Sequence, residues 1–276
     1  MIELPEAAVL SSQIEGTLMG RQIREVTVLQ SPHKFAWFHG QPQEYPERLR
    51  GKRVTGAEPH GGMVQIRLGE TSLVFQDGPN LRYAADPASL PKKHQLLLEF
   101  TDSSLFCVSI RMYGGIACFE GESWDNDYYR PAREKPSPLG EGFTRGYFQK
   151  LCEIRDFGKL SAKAFLATEQ RVPGLGNGVL QDILFYAGVH PKRKMGTISP
   201  EELDGLFSSI KTTLQAMVED GGRDTEKDLF GDPGGYKTIL SRKSVGTPCP
   251  RCEDTITKAT YGGGSVYVCA TCQPVE

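Results

Sequence analysis

Four cysteines near the C-terminus constrain the fold of this chain most strongly. They form two CxxC pairs, Cys249 with Cys252 and Cys269 with Cys272, separated by 16 residues. Strand-like residues flank Gly262–Gly264 between the pairs and predict a hairpin that brings the four thiols together. Four thiolates at one point satisfy tetrahedral Zn²⁺ with no open position, so we predict one structural zinc ion. Redox-active cysteine pairs and an iron–sulfur cluster are the alternatives.

Composition places the chain among globular proteins. It has 276 residues, of which 38% are hydrophobic and 24% charged, and its net charge of −2 does not indicate a nucleic-acid partner. No apolar run approaches the length of a membrane span, and the acidic start Met1–Glu6 does not predict a signal peptide. We therefore expect a cytoplasmic protein. An odd total of seven cysteines argues against a disulfide framework, so Cys107, Cys118 and Cys152 are expected to be buried and reduced.

The first part of the chain alternates apolar and polar residues with period two, which indicates short strands. Pro5–Leu18 instead has the apolar spacing of a helix. The predicted strands are Arg24–Leu29, Gly62–Leu68, Ser72–Gln76, Leu96–Thr101, Leu105–Arg111 and Gly115–Phe119. This order predicts an α+β fold that begins with a β-rich domain over residues 1–129.

The apolar period changes after a stretch with three prolines, Arg130–Pro138. We interpret residues 130–142 as a linker, 143–240 as a helical domain and 241–276 as the zinc-binding module. The clearest helix begins at Ser199, where Glu202 can complete a capping box, and it ends before Gly221.

The segment Gln170–Asn177 contains Gly174 and Gly176 and leads into an apolar helix. A tight turn there would expose the first backbone N–H groups of that helix beside the Asn177 amide, which suits a DNA phosphate. An ordinary connection between two helices, with Asn177 as a cap, explains the same residues.

Several motifs in order resemble the formamidopyrimidine-DNA glycosylase/endonuclease VIII family. The chain matches that family's N-terminal motif at Glu3–Glu6 and its helix–two-turn–helix segment at Gln170–Pro191. Arg223–Asp224, Gly235–Tyr236 and the cysteine-rich ending through Gln273 match its C-terminal part. The resemblance implies an N-terminal β-sandwich, a helical domain with the helix–two-turn–helix and a zinc-finger hairpin. It also implies a monomer that holds double-stranded, damaged or distorted DNA between the domains, with the altered nucleotide flipped out.

By this resemblance Asn177 holds a backbone phosphate, while Arg111 and Tyr113 fill the space left by the flipped nucleotide. Tyr113 could equally be an aromatic residue that packs at the end of a strand. Three positions depart from the family's pattern. Ile2 stands where an exposed N-terminal amine is expected, Gly62 replaces the catalytic lysine, and Gly264 replaces an arginine that binds phosphate.

Glu3 resembles the family's acid/base carboxylate, and Glu6 is a second candidate catalytic residue. Alternatively, both are acidic residues placed favourably at a helix N-terminus. The resemblance predicts a DNA glycosylase of base-excision repair that lacks the covalent lyase step, since neither the usual amine nor the lysine is present. The alternatives are a catalytically inactive relative that recognises distorted or abasic DNA without turnover, a scaffold for a protein partner, or an enzyme with a displaced amine such as Lys34.

Overall fold

The computed structural model describes residues 1–86 and 90–275. Its helices are α1 (Leu4–Leu18), α2 (Tyr45–Leu49), α3 (Tyr129–Glu134), α4 (Arg145–Leu151), α5 (Ala162–Ala167), α6 (Asn177–Tyr186) and α7 (Pro200–Glu219). Its strands are β1 (Ile23–Val28), β2 (Ala36–His39), β3 (Gly56–His60), β4 (Met63–Leu68), β5 (Thr71–Ala84), β6 (Leu96–Phe100), β7 (Leu105–Glu120), β8 (Thr257–Tyr261) and β9 (Gly264–Val268). We call α1 to β7 the sheet domain, α4 to α7 the helical domain and residues 249–273, which include β8 and β9, the C-terminal hairpin.

The strands of the sheet domain are hydrogen-bonded in the order β1-β6-β7-β5-β4-β3, with β2 parallel to β7. β5 and β7 are 14 and 16 residues long, and their pairing shifts register between Asp77 and Pro79. The first half of β7 pairs with β6 and its second half with β2. A bulge at this position bends both long strands, so the sheet folds over itself into the two layers of a β-sandwich.

The core of the sheet domain lies between these layers. The buried rings of Phe75, in one half of the long strand pair, and Phe106, in the other, are 5.7 Å apart. Helix α1 adds Leu10, Ile14 and Leu18 to the same core. Their spacing of four places them on one helix face, so a single stripe of α1 is buried against the sheet.

The helical domain has its own core around α6 and α7. Helix α7 begins with the capping box predicted from the sequence: the Ser199 hydroxyl accepts from Glu202 N, and the Glu202 carboxylate accepts from Ser199 N at 2.8 Å. Its buried stripe includes Leu206, Ile210 and Leu214. A capping box stabilises a helix start by about 1 kcal/mol, and the apolar stripe fixes which face of α7 meets α6.

The C-terminal hairpin packs on the end of α6. Phe185 forms an apolar cluster with Leu240, Ile256 and two of the cysteines. The Arg251 guanidinium lies over the Phe185 ring, 4.6 Å from its centroid, and donates to the Phe185 carbonyl at 3.2 Å. Gln273 Nε2 donates to the Val189 carbonyl at 3.0 Å. The hairpin is therefore anchored to the helical domain from within its first cysteine pair and directly after its last cysteine.

The chain returns to the sheet domain after α7. Leu229 is buried in the core of the sheet domain, and its carbonyl accepts from Tyr83 N at 2.9 Å. Gln13 Nε2 on α1 donates to Asp228 Oδ2 at 2.9 Å. The residues just after α7 thus tie the helical domain to the sandwich. The domain limits given above remain a prediction.

Parts of the sheet differ from the strands expected from the sequence. Strands β2 and β3 were not predicted, and the two strands expected over 105–119 are one continuous β7. β2 exists through its pairing with β7, far along the chain, which local periodicity does not reveal. The first residues of the stretch interpreted as a linker belong to α3. Helix α3 tolerates Pro131 because this residue lies in the first turn, where no helical N–H is needed. Buried Tyr129 packs this helix against Trp124.

Candidate active site and metal centre

A carboxylate from the sheet domain caps the N-terminus of α6. Glu3 Oε1 accepts from Gly178 N at 2.8 Å and Glu3 Oε2 from Val179 N at 2.7 Å. These N–H groups have no partner within the helix, and the helix dipole favours a negative charge beside them. Gly176 allows the approach, since a Cβ there would lie 2.5 Å from Glu3 Oε1. The expectation that this helix start is free for a phosphate is therefore wrong at these two N–H groups.

Arg223 links Glu3 to Glu6. Its Nε and Nη2 lie 2.9 and 2.6 Å from the two oxygens of Glu6, and its Nη1 lies 3.4 Å from Glu3 Oε2. The Arg223 side chain is 3% exposed. Burial raises the pKa of Glu3, against the opposing effect of Arg223. Burial acts in the same direction on Glu6, but the Arg223 charge and hydrogen bonds outweigh it and leave the pKa of Glu6 below its usual value. Glu6 is the firmly charged partner of Arg223.

A cavity of about 460 Å³ opens beside Glu3, between the sheet domain and the loop before α6. Its wall includes Trp37, Gly62 and Tyr113 from the sheet domain and Gln170 from the helical domain. Of the two glutamates singled out from the sequence, Glu3 lines this cavity and Glu6 lies behind it against Arg223. A volume of this size accommodates a nucleobase or another small ligand.

Two carboxylates, those of Glu3 and Asp77, lie in the cavity wall. Asp77 sits at the bulge of β5 with a φ of 70°, and burial raises the pKa of its carboxyl. Within residues 1–86 and 90–275, neither the Asp77 carboxylate nor the buried Gln76 Oε1 has a hydrogen-bond partner. Burial, followed by the nearby charges of Asp77 and Glu3, raises the pKa of Tyr113. The cavity therefore offers the unpaired Asp77 carboxylate to a ligand with N–H donors.

Ile2 is buried, and its nitrogen donates to the Asp77 carbonyl at 2.6 Å. This nitrogen belongs to a peptide bond, so it cannot act as a nucleophile in the structure described. The Met1 α-amine forms an ion pair with Glu226, while Met1 Sδ lies 3.6 Å from Tyr113 Oη. Position 2, where the family resemblance implies a free amine, is therefore occupied by a buried isoleucine whose nitrogen is part of a peptide bond.

Gly62 lies at the turn between β3 and β4, where this turn meets the loop before α6. A Cβ at Gly62 would lie 3.2 Å from the Ile2 carbonyl oxygen and 3.5 Å from Glu3 Cα. Its neighbour Gly61 touches Gly174, where a Cβ would lie 2.3 Å from Gly61 C. Gly62 thus occupies the cavity wall beside Glu3, where the resemblance implies a lysine, and it supplies no side chain.

The two wedge candidates on β7 line different cavities. Tyr113 lines the cavity beside Glu3, and its ring lies 6.2 Å from the Trp37 ring. Arg111 is exposed and lines a second cavity, also of about 460 Å³, together with Lys92 and Lys93. The structure therefore separates the aromatic candidate from the cationic one.

Asn177, the first residue of α6, contacts the C-terminal hairpin. Its Nδ2 donates to the Ser265 carbonyl at 2.9 Å, and its buried Oδ1 has no partner within the described residues. Lys163 on α5 donates from Nζ to the Tyr261 carbonyl at 2.7 Å. A Cβ at Gly264 would lie 3.3 Å from Lys163 Nζ and 3.6 Å from the Asn177 amide. The site of the absent arginine is therefore flanked by a lysine that the sequence interpretation did not consider.

The four cysteine Sγ atoms of the C-terminal hairpin all lie within 4.8 Å of one another, an arrangement that can hold a metal ion. They are the sulfurs of Cys249, Cys252, Cys269 and Cys272. The shortest contacts run between the two CxxC pairs: Cys252 to Cys269 at 3.4 Å and Cys249 to Cys272 at 3.8 Å. This is the geometry of one four-thiol site rather than of two separate redox pairs. All four cysteines, like Cys107, Cys118 and Cys152, are free of disulfide bonds.

Two residues of the candidate site escaped the sequence interpretation. Arg223 belongs to a motif found in the sequence. Nothing in the sequence around it shows that it would pair with Glu3 and with Glu6, which is 217 residues away. Asp77 had a local signal, because Asp77-Gly78-Pro79 is a turn-forming sequence inside an apolar strand and indicates a bulge.

Two family models match the chain. The model of the formamidopyrimidine-DNA glycosylase N-terminal domain matches residues 1–116, and that of the formamidopyrimidine-DNA glycosylase H2TH domain matches residues 135–228. The chain belongs to the formamidopyrimidine-DNA glycosylase family. The resemblance inferred from the sequence is thereby confirmed, as is the α+β fold with a β-sandwich, a helix–two-turn–helix domain and a four-cysteine hairpin.

Relatives and solved structures match over nearly the full length. A formamidopyrimidine-DNA glycosylase of Symbiobacterium thermophilum is 29% identical, with all of this chain and 90% of that protein covered. One of Photobacterium profundum is 28% identical, with 99% and 100% covered. The MutM (Fpg) protein of Thermus thermophilus has a TM-score of 0.80 at 23% identity, with 98% of each chain covered. Lactococcus lactis Fpg in complex with DNA containing an abasic site has a TM-score of 0.80 at 22% identity, with 98% and 99% covered.

Among the helices of the described residues, none combines the length and apolar character required to cross a bilayer.

Proposed function

We propose that this protein is a DNA glycosylase of base-excision repair that hydrolyses the bond between an altered base and its sugar without forming a covalent intermediate. Family membership supports the substrate, since the relatives are formamidopyrimidine-DNA glycosylases. One observation carries the proposal: Glu3 lines a cavity of nucleobase size, and Gly62 in the same wall supplies no lysine. The cavity therefore contains the Glu3 carboxylate but not the lysine that the family resemblance implies beside it.

We propose that Glu3 activates the attacking water. A carboxylate has about four lone-pair positions, of which two accept from α6 and a third faces Arg223. Because Glu3 also lines the cavity, we propose that the remaining position binds the attacking water. Burial brings the pKa of Glu3 upward, towards the operating pH of an efficient general base. Gly178, Val179 and Arg223 fix the orientation of this carboxylate.

The test is base release from duplexes that each carry one altered base or an abasic site, with borohydride added to trap covalent adducts. We expect base release without an adduct, and a loss of about 10²–10⁴-fold in rate for Glu3→Gln. Glu15→Gln is the matched control, because Glu15 is exposed on the same helix. Affinity for abasic duplex without release of any base would support the inactive relative instead, and a trapped adduct would contradict the hydrolytic mechanism.

The same proposal covers the metal and the DNA contacts. We propose that the four cysteines of the C-terminal hairpin hold one structural Zn²⁺, which their thiol chemistry suits. We also propose that the protein acts as a monomer in the cytoplasm and that it binds double-stranded DNA. Asn177 keeps one amide proton beyond its bond to Ser265, and Lys163 adds a cation beside it, so both are proposed to contact a backbone phosphate. Arg111 is proposed to contact the bases around the flipped nucleotide, and Tyr113, in the wall of the cavity beside Glu3, is proposed to contact the flipped nucleotide itself.

A further inference from the structure

The cavity beside Glu3 has an unusual charge for a site on a nucleic-acid partner. No Lys, Arg or His side chain lines it within the described residues, whereas Glu3 and Asp77 both do. The single guanidinium behind it, Arg223, is shared by Glu3 and Glu6, and the α-amine of Met1 is paired with Glu226. The electrostatic potential inside the cavity therefore favours a positive ligand.

Three aromatic rings form the other part of the wall: Trp37, Tyr113 and Tyr128. Trp37 is 51% exposed and Tyr128 57% exposed, which is uncommon for side chains of this size. The Trp37 and Tyr113 rings are tilted by 46° at a centroid distance of 6.2 Å, so they form two sides of a corner rather than a stack. Aromatic faces grouped around a cavity attract cations, and Trp is the strongest of them.

The acceptors of the cavity add a third feature. The half-buried Asp77 carboxylate lines the cavity, and it accepts no hydrogen bond in the described part of the chain. A buried acceptor without a partner is destabilising, and a ligand that carries N–H donors removes this cost. A purine with an exocyclic amino group supplies such donors, whereas an electronegative carbonyl edge facing Asp77 is disfavoured.

We propose that the substrate class of this glycosylase is a flipped purine made cationic by alkylation of a ring nitrogen, such as N7-methylguanine. The proposal rests on the function proposed above and specifies its substrate. The ring cation packs against Trp37 and Tyr113, and the exocyclic amino group of the purine faces Asp77.

The charge of such a base also explains why the reaction needs no lysine or free amine. Water adds its oxygen to C1′ while the bond from C1′ to N9 breaks. The bonding electron pair moves into the purine ring, neutralises its positive charge and releases a neutral N7-methylguanine. Glu3 takes the proton from the attacking water and later passes it to solvent. No acid is required to protonate the leaving base, so a wall that carries two carboxylates and, within the described residues, no cationic side chain is sufficient.

The first experiment compares duplexes that differ in the charge of one base. One carries N7-methylguanine and the other its neutral isostere 7-deaza-7-methylguanine, both on 2′-fluorinated sugars that block cleavage. We expect wild-type protein to bind the cationic duplex about tenfold more tightly, as desolvated cation–aromatic contacts allow. Trp37→Leu should reduce this preference to near unity. Phe35→Leu, which replaces an exposed aromatic outside the cavity, should retain it.

The second experiment measures release of N7-methylguanine and of neutral 8-oxoguanine from otherwise identical duplexes at one salt concentration. Faster release of N7-methylguanine, and a smaller ratio for Asp77→Asn, support the proposal. Equal binding of the charged and neutral isosteres, or faster release of 8-oxoguanine, overturns it while leaving the glycosylase function intact. No release from any duplex and no affinity for abasic DNA would refute the glycosylase function itself. Thermal unfolding of each variant confirms that it is folded.

Discussion

The buried network of Glu3, Glu6 and Arg223 and the cavity wall next to it differ in how far their polar groups are paired. Glu3, Glu6 and Arg223 are buried and paired with one another and with the start of α6. In the adjacent cavity wall, the Asp77 carboxylate and Gln76 Oε1 have no hydrogen-bond partner within the described residues, and Trp37 is half exposed. The paired region fixes geometry, and the unpaired region retains binding capacity for a ligand. The C-terminal hairpin is a second region whose contacts fix its geometry, so substitutions in it and in the paired network should mainly affect stability, and changes in the cavity wall should mainly affect binding.

The largest expected effect is on the fixed C-terminal hairpin. Removing the metal with a strong chelator should unfold β8 and β9, because binding of structural zinc contributes about 10–16 kcal/mol to the folding of such a module. Hydrogen exchange over Thr257–Tyr261 and Gly264–Val268 should rise sharply, while exchange in the sheet domain stays unchanged. A purified protein with a protected hairpin and no bound metal would contradict the assignment.

The second effect concerns the paired network. Arg223→Met should destabilise the protein by about 3–5 kcal/mol, since it leaves two buried carboxylates without a cation. Denaturant unfolding measures this change. Arg130→Met is the matched control: Arg130 pairs with Asp125, both are exposed, and we expect a loss of about 0–1 kcal/mol. Equal effects of the two substitutions would show that Arg223 does not hold the network together.

The third effect concerns the charge of the cavity. Gly62→Lys places a cation in the wall beside Glu3 and should weaken binding of the duplex with N7-methylguanine by about tenfold relative to Gly62→Gln. The neutral glutamine variant controls for the added side chain, whose Cβ would lie 3.2 Å from the Ile2 carbonyl. The comparison is made at low salt, and the difference should shrink as salt increases. Tighter binding by the lysine variant would refute the cationic substrate.

The smallest expected effect is the stability cost of the Asp77 charge, which is separate from its contribution to ligand binding. Burial raises the pKa of Asp77, so the folded protein holds this proton more tightly than the unfolded chain does. Its charge therefore destabilises the fold as pH rises above the ordinary carboxyl range, and Asp77→Asn should unfold at a higher temperature at pH 7. The gain should diminish as pH falls towards 4, whereas Asp125→Asn, at an exposed position, should show none. A gain that does not depend on pH would reflect only the tolerance of Asn for a φ of 70°.

The sequence predicted the features that local spacing determines. The CxxC pairs, the capped start of α7 and the glycines before Asn177 all act over fewer than 25 residues, so their pattern is visible along the chain. The pairing of β2 with β7 and the junction of Arg223 with Glu6 depend on contacts between distant segments. Glu3 was identified as a candidate, but the capping of α6 by its carboxylate follows from the packing of two domains, which no local pattern contains.

The bond between Glu3 and α6 has a mechanical consequence. The carboxylate and its two N–H partners belong to different halves of the molecule, so any hinge motion that spreads the halves must withdraw Glu3 from the helix or carry it along. The position of this carboxylate is thereby coupled to the separation of the two halves, so a duplex that pushes them apart would act directly on the group proposed to activate water.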